Sequence, residues 1–309
     1  MSKEFQQVEW DATVEDDCRQ IVRLAVREDL DRLFDWTTLA LVPAGAEGRA
    51  EVRTRQTGVV AGLRAAEVAV GEMDVKLRFD ARVEDGSEVA AGDTLAALAG
   101  PARTLLSAER ILLNLIGRLS GIATLTRKYV EAVRGTNARI YDTRKTTPGW
   151  RRLEKYAVRQ GGGTNHRTGL FDAILIKDNH LALAAHDAGT GHLTAAEAAR
   201  RARQFADNLA ANEGKPALLV EVEVDTLAQL ELVLGEHPDV VLLDNLTPAQ
   251  LTEAVTLRNR RAPSVELEAS GGVNLETVAA IARSGVERIS IGALTHSAAS
   301  LDVGLDWLF

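Results

Sequence analysis

The apolar positions of the chain change rhythm three times. Residues 12–33 read as a charge-rich helix. Between residues 48 and 100 the runs shorten and alternate, as in GRAEVRTRQTGVVAG and VKLRFDARVEDGSEVAAGDTLAALAG, and glycines interrupt them. That pattern predicts strands joined by turns. Residues 104–134 return to a helical period, with Leu105, Leu106, Ile111, Leu112, Leu115, Ile116 and Leu119 forming a broad apolar face.

From about residue 138 onward, strand and helix alternate. The predicted strands are ARIYD (138–142), AILIK (173–177), ALLVEVEV (217–224), VVLLD (240–244), VELEAS (265–270) and RISIG (288–292). Helical segments are predicted over 150–160, 194–212, 227–234, 248–260 and 275–284, and an exposed loop over 184–193. Repeated β-then-α order with nearly continuous apolar strands implies parallel pairing through right-handed crossovers. The class is α/β, with a (β/α) barrel the leading architecture and a doubly wound open sheet the second.

Composition narrows the chemistry. A length of 309 residues suits about two domains. One cysteine, Cys18, excludes an intramolecular disulfide framework and a cysteine-based zinc site, and suits a reducing cytoplasm. No apolar run has the length of a membrane span, and MSKEFQQVEW lacks the order of a signal peptide. The expected location is therefore cytoplasmic, with no membrane partner. The formal charge is −8 and aromatic residues make up 4%, which disfavours nucleic acid as a partner. Residues 139–180 nevertheless carry nine Lys/Arg against four Asp/Glu. A cationic pocket in an acidic protein suits a small anion.

The strand ends supply candidate residues. Side chains alternate along a strand, so Lys177 shares a face with Ala173 and Leu175, and Asp244 with Val240 and Leu242. Glu223 shares its face with Leu219 and Glu221, and Ser270 with Glu266 and Glu268. Lys177, Glu223, Asp244 and Ser270 then close four successive strands at the end where barrels carry their active sites. Glu221 and Glu268 lie deeper and fit a buried ion-pair layer equally well. After the last two strands come SGGVN (270–274) and IGALTH (291–296), where Ser270, Gly271, Gly272 and Gly292 offer backbone N–H groups to a phosphate.

The basic cluster is Arg144, Lys145, Arg151, Arg152, His166, Arg167 and Lys177. Arg144 and Lys145 follow the first strand. His166 and Arg167 follow Gly161–Gly163, which is read as permitting close approach to a ligand. Converging guanidinium groups suit a polycarboxylate or a phosphate. Arg151, Arg152, Lys155 and Arg159 are read as solvated helix charge. His186 and His192 flank glycines and lack companion ligands, so a loop is preferred to a metal site.

These stretches carry a family resemblance. RIYDTRKTTPGWRRLEKYAVRQGGGTNHRTGLFDAILIKDNH (139–180) resembles the core of the quinolinate phosphoribosyltransferases, as do SAERILLNLIGRLSGIAT, VEVEVDTL, VVLLDN, LEASGGVN and ISIGALTHSA. The resemblance implies the type II phosphoribosyltransferase fold: an N-terminal α/β sandwich (1–113), an open (β/α) barrel (114–297), and a C-terminal segment (298–309) returning to the first domain. The family barrel has seven strands, where six are legible here.

The resemblance also implies the reaction of quinolinate with phosphoribosyl pyrophosphate to nicotinate mononucleotide, pyrophosphate and CO₂, a step of NAD synthesis. Arg144, His166, Arg167 and Lys177 match quinolinate-binding positions. Arg110 matches an arginine donated across a homodimer. Lys145, Glu223, Asp244, Ser270, Gly271, Gly272, Gly292 and His296 match positions facing the sugar pyrophosphate, with Mg²⁺ as cofactor at Glu223 and Asp244. The catalytic assignment is Lys145, Lys177, Glu223 and Asp244. Residues 184–216 are longer than is typical.

Four other readings remain. Nicotinate phosphoribosyltransferase and a related molybdenum-transport-associated protein share the fold. Lys177 at a barrel strand end also suits a Schiff-base aldolase, and a non-catalytic phosphosugar binder would leave Glu223 and Asp244 without purpose.

Overall fold

The late apolar runs form one parallel sheet, because most of them are buried and helices join each to the next. The structure is a computed structural model that describes residues 4–31, 33–73, 76–187, 193–214 and 218–309. The described chain divides into two units. One takes in 4–7, 129–144 and the stretch from 164 to 292; the other takes in the stretch from 8 to 128, 145–163 and 293–309.

The first unit contains strands β1 (Arg139–Tyr141), β2 (Ile174–Ile176), β3 (Val220–Val224), β4 (Val240–Asp244), β5 (Glu266–Ser270) and β6 (Arg288–Ser290). Their order is β1-β6-β5-β4-β3-β2, and every pairing is parallel. Among the described residues the β1 and β2 edges do not pair, so the (β/α) barrel is open. Beyond β1, a single parallel bridge joins Tyr141 to Thr164, with the Thr164 N–H donating to the Ile140 carbonyl at 2.8 Å. A seventh position on the sheet is thus reduced to one bridge, too short to appear as an apolar run.

Threonine caps fix the crossover helices. Thr194, Thr226 and Thr247 each accept from the N–H three residues on, and Glu197, Gln229 and Gln250 reach back to complete capping boxes. The helix expected from residue 275 begins at Val278. Asn274 Oδ1 accepts from the N–H groups of Glu276 and Thr277 at 2.9 and 3.0 Å, which holds that stretch as a turn. The loop expected over 184–193 is corrected in its first part. Residues 184–187 close the helix Asp178–Asp187, whose Ala/Leu-rich sequence favours helix. Residues 188–192 lie outside the described residues.

The second unit is built on a four-stranded antiparallel sheet. Its order is Val303–Trp307, Glu47–Thr54, Thr94–Pro101, Arg78–Ala81. The C-terminal strand pairs Trp307 with Ala50, which ties the chain end to this sheet. Helices Ala12–Leu30, Leu63–Met73 and Arg151–Gln160 belong to this unit, and the helix Ala102–Ala132 begins in it. Cys18 is fully buried, and burial pushes its thiol up to about 12, so it behaves as a core residue and not a nucleophile. Among the described residues no helix is long and apolar enough to cross a membrane.

The reading of Gly161–Gly163 as an approach to ligand is also corrected. A Cβ at Gly161 would lie 2.4 Å from the Ala123 carbonyl, and one at Gly163 would lie 2.7 Å from Thr126 Cγ2. These glycines let the chain pack against the helix Ala102–Ala132.

Candidate active site

Strand register assembles the polar residues at the C-terminal edge of the parallel sheet. β2 pairs Ile176 with Val222, so the next residue, Lys177, falls beside Glu223, and its ammonium is bonded to the Glu223 carboxylate. β5 pairs Ser270 with Asp244. Asp244 Oδ2 accepts from Asn245 Nδ2 at 2.7 Å, and the Asn245 N–H donates to the Ser270 carbonyl at 2.9 Å. Gly271 follows at φ +88°, where a Cβ would stand 2.1 Å from Asn245 Oδ1. Only glycine lets the turn Ser270–Gly272 close over Asn245. Beyond β6, the Ile291 N–H bonds the Tyr141 carbonyl at 2.9 Å, which sets Gly292 at the same edge.

The basic residues of this unit are held by buried polar groups. Asp142, fully buried just beyond β1, accepts the His166 N–H at 2.9 Å and Asn165 Nδ2 at 2.6 Å. Gln7 exchanges two bonds with the Asn165 backbone, at 2.8 and 3.1 Å. Arg167 Nη1 donates to the Ala173 carbonyl at 3.1 Å. Burial, and then the neighbouring Arg144 guanidinium, push Arg167 below the ordinary arginine range, and it remains a cation at neutral pH.

Beneath this edge lies the polar layer that alternation left open for Glu221 and Glu268. Both carboxylates are fully buried, and His166 Nε2 lies 3.0 Å from Glu221 Oε2 and 3.5 Å from Glu268 Oε1. Burial pushes both carboxyls up. His166 and the Arg288 and Arg167 guanidiniums outweigh burial at Glu221 and hold it below the usual range. At Glu268, burial is reinforced by Glu221, and the carboxyl rises to about 7. Arg288, also fully buried, stands opposite Glu268 across β5 and β6. Sequence parity pointed to Glu221 and Glu268. Arg288 and Asp142 were missed, although Arg288 shares its parity with Ser290.

Arg110, Lys145 and His296 belong to the other unit. All three are exposed. Arg110 borders a groove with Asn114, Arg118, Trp150 and Asp302. The Thr295 hydroxyl donates to the Lys145 carbonyl at 2.7 Å, tying the Lys145 loop to the short helix Ala293–His296. Arg118 donates to the carbonyls of Thr295 and Ala298 and pairs with buried Glu154 at 2.7 Å. Glu154 in turn accepts from the Thr147 N–H and hydroxyl.

The reading of Arg151, Arg152, Lys155 and Arg159 as solvated charge is overturned. Lys155 is fully buried, Arg152 pairs with Asp17 at 2.7 Å, Arg159 donates to the Gly163 carbonyl at 2.8 Å, and Arg151 to Thr146 Oγ1 at 3.1 Å. Their helix is buried from Leu153 to Val158, so its charges are paired. His186 is described in its backbone alone, and His192 lies outside the described residues. The Schiff-base reading of Lys177 loses ground, since its amine is engaged by the Glu223 carboxylate.

Comparison with known proteins then places the chain. Residues 35–120 match the N-terminal domain of quinolinate phosphoribosyl transferase, and residues 122–306 match its C-terminal domain. The nicotinate-nucleotide pyrophosphorylase [carboxylating] of Mycobacterium leprae is 46% identical over 296 residues, covering 94% of this chain and 97% of that one. A quinolinate phosphoribosyltransferase [decarboxylating] of Nicotiana tabacum is 38% identical over 304 residues, covering 94% and 82%. The solved nicotinate-nucleotide pyrophosphorylase of Francisella tularensis superposes with a TM-score of 0.86 at 33% identity, covering 99% of this chain and all of that one.

Proposed function

This chain belongs to the quinolinate phosphoribosyltransferase family, and from that premise we propose how its residues divide the work. The enzyme is a decarboxylating pentosyltransferase of NAD synthesis: quinolinate and phosphoribosyl pyrophosphate give nicotinate mononucleotide, pyrophosphate and CO₂. The observation that carries the residue assignment is the shared strand-end edge. Arg144, Arg167 and Lys177 belong to the unit whose sheet ends also bring Glu223, Asp244 and the Ser270–Gly272 turn.

Quinolinate presents two adjacent carboxylates. Arg144, Arg167 and Lys177 neutralise them and aim the ring nitrogen, with His166 bracing the loop that carries Arg167. Arg110 is contributed by the second subunit of a homodimer. Orientation of this kind supplies several kcal/mol of the barrier. The Ser270–Gly272 turn, with Gly292, cradles the 5′-phosphate through backbone N–H groups. Lys145 and His296 face the pyrophosphate.

Glu223 and Asp244 hold the ribose hydroxyls. Their oxygen donors also fit Mg²⁺, which takes one or two carboxylates and otherwise water and phosphate oxygens. When bound there, Mg²⁺ supplies charge neutralisation for the departing pyrophosphate.

The ring nitrogen forms a bond to C1 as the C1–O bond to pyrophosphate breaks, and the nitrogen becomes cationic. The bond from C2 to its carboxylate then breaks, CO₂ leaves, and the electron pair stays on C2 beside the cationic nitrogen. A proton completes nicotinate mononucleotide. No separate electron sink is required. The cytoplasm is the proposed location.

Pyrophosphate release with quinolinate and phosphoribosyl pyrophosphate, with Mg²⁺ and with chelator, tests this reading. Turnover that needs Mg²⁺ and falls when nicotinate replaces quinolinate is expected. Equal turnover of nicotinate would point to the non-decarboxylating transferase.

A further inference from the structure

The tautomer of one buried imidazole carries the inference, which rests on the quinolinate reading of the same edge. His166 is 5% exposed. Its Nδ1 accepts the Arg167 backbone N–H at 2.8 Å. That nitrogen therefore bears no proton, and the ring proton of the neutral imidazole sits on Nε2. Nε2 lies 3.0 Å from Glu221 Oε2 and 3.5 Å from Glu268 Oε1 in the buried sheet interior, a charge contact and not an aligned hydrogen bond. Phe5 stacks on the ring with centroids 4.2 Å apart, which fixes its plane.

We propose that Glu221, with Glu268 behind it, is a positioning residue of the quinolinate site: it holds His166 as the Nε2–H tautomer, and Nδ1 then sets the backbone direction from which Arg167 departs. The chain of contacts is Glu221, His166, the Arg167 N–H, and finally the Arg167 guanidinium anchored on the Ala173 carbonyl. A proton on Nδ1 would break the second link and turn two donors against each other. Glu221 prevents this by making Nε2 the favoured proton site.

A histidine with two carboxylates also has the makings of a metal site, and these three offer ligand atoms within 4.8 Å of one another. Arg288 decides against it. The register sets its fully buried side chain opposite Glu268, and its guanidinium lies over Phe5 and Tyr141 at 5.4 and 5.0 Å. Its Nε donates to Glu266 Oε2 at 2.6 Å, so a buried cation with a carboxylate of its own already stands beside Glu221 and Glu268, and a divalent ion would add like charge next to it.

The test is ¹⁵N NMR of the full-length protein with labelled histidine, the His166 signal being assigned by its loss in His166→Gln. The expected wild-type spectrum has Nε2 protonated and Nδ1 not, and Glu221→Gln keeps it because the amide oxygen still presents partial negative charge to Nε2. In Glu221→Ala the Nε2 proton exchanges faster, and the KM for quinolinate rises about tenfold while the KM for phosphoribosyl pyrophosphate and kcat stay within about twofold.

An Nδ1-protonated or doubly protonated His166 in the wild type overturns the proposal. So does an unchanged quinolinate KM in Glu221→Ala, or an equal rise for both substrates. If Glu221→Ala fails to fold, the wild-type and Glu221→Gln spectra decide. The spectra need no turnover. A chain that keeps the tautomer but consumes no quinolinate refutes the functional reading, whereas intact quinolinate turnover with the wrong tautomer refutes the role of Glu221.

Discussion

Replacing Glu268 by glutamine should change how stability depends on pH. Burial and the adjacent Glu221 carry the Glu268 carboxyl from the ordinary 4.5 to about 7. Between those values the unfolded chain releases this proton while the folded chain keeps it, so stability falls as pH rises. Below 4.5 both states are protonated and there is no cost; above 7 both are ionised and the cost is constant. A shift of this size is worth about 3 kcal/mol, most of it developing between pH 5 and pH 8. Glu268→Gln keeps the shape and removes the ionisation. Urea unfolding of both proteins across that range should show the variant gaining on the wild type by about 2–3 kcal/mol as pH rises. A difference that stays flat, or shrinks with rising pH, would mean that Glu268 ionises as an ordinary surface carboxylate and that the interior layer is wet.

Gly271→Ala should disturb the phosphate turn, because the backbone sits at φ +88° and the new methyl would meet Asn245 Oδ1. A loss of about 1–3 kcal/mol in stability is expected, with a raised KM for phosphoribosyl pyrophosphate; unchanged kinetics would separate the turn from substrate. Glu154→Leu should cost about 3–5 kcal/mol in urea unfolding, since it leaves the Arg118 guanidinium without its buried partner. A variant as stable as the wild type would show that the carbonyls of Thr295 and Ala298 suffice. Mixing inactive Arg110→Ala and Lys145→Ala subunits should restore part of the activity through hybrid dimers, whereas confirmed hybrids with none would place Arg110 in its own subunit's site.

Much of the sheet was legible because short apolar or alternating runs recur between helical segments. VVLLD became β4 with its predicted bounds, and the helix over 227–234 was likewise met residue for residue. Parity carried Lys177, Glu223, Asp244 and Ser270 to a common edge, because alternation and strand-end position survive folding. What failed was of another kind. The Gly161–Gly163 run reads the same whether a ligand or the helix Ala102–Ala132 approaches it. Lys155 looked solvated because a charged sequence does not reveal that its helix is buried around most of its circumference. The bond from the Arg167 N–H to His166 Nδ1 is a backbone contact without a sequence signature, so the His166–Glu221 linkage needed coordinates.

The most direct measurement follows label from the C2 carboxylate of quinolinate during turnover. The account holds that ribosylation of the ring nitrogen creates the electron sink for decarboxylation. Labelled CO₂ should then appear only when phosphoribosyl pyrophosphate is present, in equal amount to pyrophosphate. Release of CO₂ from quinolinate alone, or pyrophosphate formed with the label still on the nucleotide product, would contradict it.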